Sequence, residues 1–122
     1  MVGFWTRSRD LKPEREASAM YLENAKHYEL RYGVIMANAP RSSGVYALFN
    51  GEELLYVGEA RNIFSKLIEH LYGGNPILMS EEPTAFAFEY CSAEARTVRF
   101  MELVFKWRPP YTERPELKIQ ED

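Results

Sequence analysis

Gly44-Val45-Tyr46-Ala47-Leu48-Phe49-Asn50-Gly51-Glu52-Glu53-Leu54-Leu55-Tyr56-Val57-Gly58 is the stretch whose reading decides the fold. Val45 to Phe49 is rich in β-formers, Asn50-Gly51 is the strongest short-range hairpin signal, and Leu54 to Val57 supplies the return strand. Register decides what this hairpin can do, because a one-residue slip moves every side chain to the other face. A two-residue loop puts Tyr46 and Tyr56 on opposite faces of the sheet. A three-residue loop with a bulge at Gly51 puts them on the same face, diagonal to one another. The sequence leaves both registers open.

Downstream, Asn62 can cap a helix running to about Tyr72, with Gly73-Gly74 as its stop. Ile63, Phe64, Leu67, Ile68 and Leu71 form its apolar stripe, while Asn62, Lys66, Glu69 and His70 fall on the other side. Residues 75–83 read as an irregular loop. Phe86, Phe88 and Tyr90 alternate with Ala87 and Glu89 in a third strand from Ala85 to Cys91. Ser92 can cap a helix from Ala93 to Trp107, which Pro109-Pro110 ends. Upstream, Pro13 followed by Glu14, Arg15 and Glu16 reads as a first helical turn. Ala17, Tyr21, Ala25, Tyr28 and Tyr32 then recur near helical spacing, with Gly33 as a stop and Val34 to Ala37 as a short extended piece. Residues 1–12 read as a loosely held start from which Phe4 and Trp5 could dock, and the charged end from Thr112 as an extended tail.

The order is helix, hairpin, helix, strand, helix. It predicts an α+β fold: a three-stranded antiparallel sheet flanked by helices, with an extra N-terminal helix. The corresponding division is an extension at 1–39, a domain at 40–112 and a tail at 113–122.

With 122 residues the chain has material for one modest core, and 46% hydrophobic with 27% charged residues is ordinary for a globular protein. No apolar run approaches the roughly 20 residues of a membrane span. The first residues lack the pattern of a signal peptide, and the single cysteine, Cys91, cannot close an internal disulfide; a cytoplasmic location is the expectation. Two histidines and one cysteine, far apart, give no zinc spacing. The net charge of -3 lowers the expectation of strong sequence-independent DNA binding, although a local basic groove is compatible with it. Oligomeric state is not legible.

A Gly-Val-Tyr strand, a short turn, a Tyr-Val-Gly strand and a helix bearing a basic residue and a histidine resemble the GIY-YIG endonuclease domain over roughly residues 40–112. Pro109-Pro110-Tyr111 is similar to the Pro-x-Tyr of some members. The family includes excision-repair incision domains and homing endonucleases. The resemblance implies a shallow site where tyrosines, an arginine and a glutamate holding one Mg²⁺ (or Mn²⁺) cut phosphodiester bonds in DNA.

By that resemblance Tyr46 and Tyr56 order the attacking water, and Lys66 stands where the family has its arginine. Lysine is a mobile point charge, not a planar fork, so the substitution either keeps some phosphate stabilisation or removes efficient cleavage. Arg61 is a second cation at the start of the same helix, and His70 a general base or phosphate contact. Glu102, interrupting the apolar run Phe100 to Phe105, would hold the metal, with Arg99 and Lys106 beside it as nucleic-acid contacts. Each has a plainer reading. The tyrosines are strand aromatics, Arg61 is a surface group, His70 is a surface or packing residue, and Glu102 pairs with Arg99 and Lys106 one turn away. Glu59, directly after the Tyr-Val-Gly, is an acid where several members carry a lysine, and it repels phosphate unless offset. Glu94 reads as a first-turn helix acid and Cys91 as a small strand-end hydrophobe. Two functions therefore compete: a Mg²⁺-dependent nuclease, and a catalytically degenerate nucleic-acid-binding or protein-interaction module.

Overall fold

The computed structural model describes residues 21–112. After a 3-10 turn at Leu22–Asn24 come β1 (Tyr28–Glu29), α1 (Tyr32–Asn38), β2 (Gly44–Asn50), β3 (Glu53–Ala60), α2 (Ile63–Leu71), α3 (Pro76–Met79), β4 (Ala85–Tyr90) and α4 (Ala93–Trp107). The strands form one antiparallel sheet in the order β1-β4-β2-β3. The fold is thus α+β as expected, but the sheet has four strands where three were predicted.

The extra strand comes from the segment read as a helix. Residues 1–20, which include Phe4, Trp5 and the start at Pro13, lie outside the described residues, as does the tail 113–122. Residues 21–31, within the described part, are not α-helical. Tyr28 pairs with Phe86, and its ring stacks on Phe86 at 5.3 Å and Phe88 at 5.9 Å. A tyrosine at helical spacing is equally a good strand former, and here the cross-strand aromatic contact decides. Gly33 lies inside α1, and Val34 to Ala37 is helical, not extended. That turn of helix drives Ile35 fully into the core. The expected loop at 75–83 contains α3, which Asn75 caps by accepting from Leu78 N–H at 3.2 Å.

The sheet is buried on both faces. Tyr46, Leu48 and Phe86 pack against Ile35, Ile63, Leu67 and Leu78 on one side, under α1 and α2. Val45, Ala47, Val57 and Ala87 pack against Leu22 and against Leu103 of α4 on the other. Every residue of β2 but Asn50 is buried, which is why it reads as a continuous apolar run.

The hairpin reaches its register by a route that neither loop length alone would give. Asn50 pairs with Glu53 around a two-residue Gly51-Glu52 loop, with Gly51 at φ 61°. The pairing then slips between Leu48 and Phe49, leaving Leu55 as an extra residue, so Leu48 faces Tyr56 and Tyr46 faces Gly58. The bulge sits in mid-strand at Leu55, not at Gly51. Its effect is the same: Tyr46 and Tyr56 share a face. The outer edge of β3 is closed by the chain after α4. Tyr111 N–H donates to the Leu55 carbonyl at 3.0 Å, while the Thr112 hydroxyl accepts from Val57 N–H at 2.8 Å and donates to its carbonyl at 2.9 Å. Among the described residues no helix is long and apolar enough to cross a membrane.

Candidate functional site

The two motif glycines are spacing requirements. A Cβ on Gly44 would collide with the Glu89 carbonyl of β4 and the Ile63 side chain. A Cβ on Gly58 would sit 2.5 Å from the Tyr46 hydroxyl oxygen and 2.6 Å from Cζ, so the Tyr46 ring lies directly over Gly58. That path carries the Tyr46 hydroxyl to His70, with Oη and Nε2 2.8 Å apart. Tyr56 completes the cluster. Its ring centroid is 6.0 Å from that of Tyr46, and it meets His70 edge-on at 5.1 Å.

His70 was expected on the polar face of α2, yet it is only 6% exposed. Late in the helix it turns under the sheet aromatics. Burial first, and the Lys66 ammonium second, lower its pKa below the usual imidazole value, so it is neutral at pH 7. Neutral imidazole has one donor and one acceptor nitrogen. With Nε2 on Tyr46, Nδ1 is buried without a partner. Tyr46 is 1% exposed, and burial, then the neighbouring Tyr56, raise its pKa well above the usual phenol value. Its hydroxyl is out of reach of a ligand and stays protonated. The half-buried Tyr56 is the tyrosine that can meet one.

A cavity of about 230 Å³ opens beside this cluster, lined by Tyr56, Lys66, Glu69, His70 and the rim Gly74-Asn75-Pro76. Lys66 Nζ lies 3.2 Å from Glu69 Oε1, a half-exposed pair worth a few tenths of a kcal/mol at most, roughly 0.3, and therefore easily exchanged for another anion. Glu69 was not singled out in the sequence; its only signal was its place three residues after Lys66. An adjoining open groove of about 390 Å³ runs along Arg61, Lys66, Arg96, Glu59 and Glu69. Arg61 is exposed there. Glu59 is neutralised from α4: Arg96 donates to it at 3.2 Å and the Thr97 hydroxyl at 2.9 Å. The amides opening α2 are already used. Ile63 and Phe64 donate to the Ser42 and Pro40 carbonyls, and Ser65 donates to the Asn62 side chain. An anion here would therefore depend on side chains.

Glu102, Arg99 and Lys106 belong to a different place. They ride on α4, across the sheet from Tyr46 and His70. Arg99 donates to Glu89 at 2.9 Å, to Glu23 at 2.6 Å and to Glu102 at 3.1 Å, and Lys106 reaches Glu23 at 2.8 Å. Lys106 thus takes Glu23 as its partner instead of Glu102. Leu22 N–H also donates to Glu89 at 2.8 Å, so this charged knot fastens the N-terminal segment to β4 and α4. Tyr46, Tyr56, Lys66 and His70 come together, whereas Glu102 does not join them.

A magnesium ion takes hard oxygen ligands in octahedral geometry and is held through one or two carboxylates with water. The tyrosine face offers two phenols, a buried imidazole, an ammonium and one carboxylate, Glu69, which is paired with that ammonium. Among the described residues no group of three His, Cys, Asp or Glu side chains is placed to hold a metal ion. This face therefore brings one carboxylate toward such an ion, and that carboxylate faces an ammonium.

The chain matches no protein-family profile and no curated protein. Solved structures do match. A point mutant of the GIY-YIG N-terminal endonuclease domain of UvrC from Thermotoga maritima, bound to its catalytic divalent cation, superposes with a TM-score of 0.58 at 22% identity, over 69% of this chain and 100% of that one. The same domain bound to magnesium gives a TM-score of 0.56 at 22% identity, over 66% of this chain and 98% of that one. This chain has the GIY-YIG fold. Its motif tyrosines and glycines form the packed unit at the centre of that fold, and Lys66 and His70 follow on α2.

Proposed function

We propose that this protein binds nucleic-acid phosphodiesters at the Tyr56–Lys66–His70 cavity of a nuclease fold, without metal-assisted cleavage. The observation that carries the reading is the separation of Glu102 from the tyrosines, its carboxylate bonded to Arg99 on the opposite side of the sheet. On binding, Lys66 exchanges Glu69 for a phosphoryl oxygen, Tyr56 donates its hydroxyl to a second oxygen, and the buried Tyr46–His70 pair holds the Tyr56 ring. With a net charge of -3, affinity should be modest and fall steeply with salt. The test combines anisotropy with labelled DNA and incubation with plasmid and branched DNA in Mg²⁺ or Mn²⁺. We expect binding that persists in EDTA, a roughly tenfold loss in Lys66→Ala from one charged hydrogen bond, and no cleavage. Metal-dependent cleavage overturns the reading.

The second reading is a Mg²⁺- or Mn²⁺-dependent GIY-YIG nuclease acting on DNA. It is favoured by the convergence of Tyr46, Tyr56, Lys66 and His70 on one face, which are four of the five catalytic candidates, Glu102 being the fifth. Under it the same incubation gives nicked products, and Lys66→Arg raises the rate.

A further inference from the structure

Two large side chains next in sequence to the cavity's rim residues are exposed. Tyr72 is 71% exposed and Ile77 72%, and they flank residues 73–76, three of which line the cavity. This rim is tightly built. Gly73 at φ 90° donates its N–H to the His70 carbonyl at 3.0 Å, and Gly74 donates to that of Glu69 at 3.0 Å. A Cβ on Gly74 would press on the Glu69 side chain and carbonyl at 3.0 Å. Asn75 then caps α3. Helix α2 therefore ends in a fixed shape, with Tyr72 and Ile77 immediately before and after these rim residues in the chain.

Charge alone holds little here. Among the described residues Lys66 is the only cation lining the cavity and already faces Glu69, the amides at the start of α2 are occupied, and the chain is acidic overall. A duplex, read through its phosphates, would meet weak attraction. A cavity of about 230 Å³ also admits part of one nucleotide and not a base-paired stack. Exposed aromatic faces are how proteins hold unpaired nucleotides, because every base has a face to stack and stacking tolerates any sequence.

We infer that the ligand of this site is an unpaired nucleic-acid stretch, one base stacked on Tyr72 beside Ile77 while the neighbouring phosphate sits at Lys66. The inference rests on the phosphodiester-binding reading above and narrows its ligand. The test is anisotropy at fixed low salt with one labelled DNA oligonucleotide, used single-stranded and annealed to its complement. The single strand should bind at least tenfold tighter. Tyr72→Ala should weaken it about 5- to 100-fold, with Tyr72→Phe retaining affinity and duplex binding unchanged by either. Both variants alter an exposed side chain, so the thermal midpoint should hold. Equal affinity for the two forms, or an unaltered Tyr72→Ala, overturns the inference alone when Lys66→Ala still weakens binding. Absence of binding to both forms overturns it together with the parent reading.

Discussion

Replacing Gly58 by alanine tests the packing at the centre of the motif. The added Cβ would lie 2.5 Å from Tyr46 Oη and 2.6 Å from Cζ, well inside van der Waals contact. The Tyr46 ring is rigid and 1% exposed, with Leu48 and Phe86 in the same cluster, so it cannot swing into solvent. Overpacking of this kind costs about 1–3 kcal/mol. Moving the ring also breaks the 2.8 Å bond to His70, leaving a second nitrogen of that buried imidazole without a partner for about 1–3 kcal/mol more. Gly58→Ala should therefore lose roughly 2–6 kcal/mol in urea unfolding, a large share of a small domain's stability. Tyr46→Ala removes the atoms that clash and is costly in its own right, about 3–5 kcal/mol by analogy with other buried aromatic rings. In the double variant the Gly58 penalty should largely vanish, giving a favourable coupling of at least about 1 kcal/mol. A Gly58→Ala midpoint within experimental error of the parent, or strict additivity in the cycle, would refute the account of this glycine.

The charged knot on the other face makes a contrasting prediction. Arg99→Ala strands Glu89, which is 6% exposed, and should cost about 3–5 kcal/mol by urea unfolding, whereas Arg99→Met with Glu89→Gln should recover much of the loss. Two pH windows should separate the two faces. His70 has a folded pKa below 6.5, so the unfolded chain binds the extra proton, and stability falls as pH drops below 6.5 until the folded value is passed; His70→Gln removes that slope. Glu23 is lowered to about 2 by its bond to Lys106 and then by Arg99, so its contribution is complete above pH 4.5 and is lost towards pH 2; Glu23→Gln flattens that lower window only. Arg108 ends α4 at φ 51°, a left-handed position, and Arg108→Gly should raise the midpoint by the equivalent of about 1 kcal/mol in thermal unfolding.

The hairpin, α2 and α4 were legible because their signals are local. Asn50-Gly51 turns the chain, Asn62 and Ser92 accept from the amides three residues on, and Gly73 and the proline pair stop the helices. The N-terminal segment was not, since Tyr21, Tyr28 and Tyr32 satisfy helical spacing and strand propensity alike. What decides between them is Phe86 and Phe88, more than fifty residues away. The same holds for charge. Arg99 finds Glu102 within its own helix, as periodicity predicts, but its shortest partner is Glu23, 76 residues distant in sequence. His70 was misplaced because it sits at the border of the apolar stripe of α2, where periodicity cannot say which way an amphipathic ring turns.

The motif therefore carries two kinds of information that separate physically. Tyr46, Gly58 and His70 form a packing unit: the glycine makes room for the ring, the ring reaches the imidazole, and the buried hydroxyl is bonded to that imidazole. Such a unit specifies the fold whether or not any bond is cut. Under the nuclease reading, chemistry would depend instead on Tyr56, Lys66 and a carboxylate free to hold an ion, and here the nearest carboxylate, Glu69, faces Lys66 in a weak pair while Glu102 lies beside Arg99 across the sheet. A sequence can keep the first set under selection for stability alone, because losing any member costs several kcal/mol, roughly 2–6 by the reasoning above. The second set is under no such constraint. Gly44-Val45-Tyr46 and Tyr56-Val57-Gly58 thus report the architecture, and the state of Lys66 and its carboxylate neighbours reports the activity.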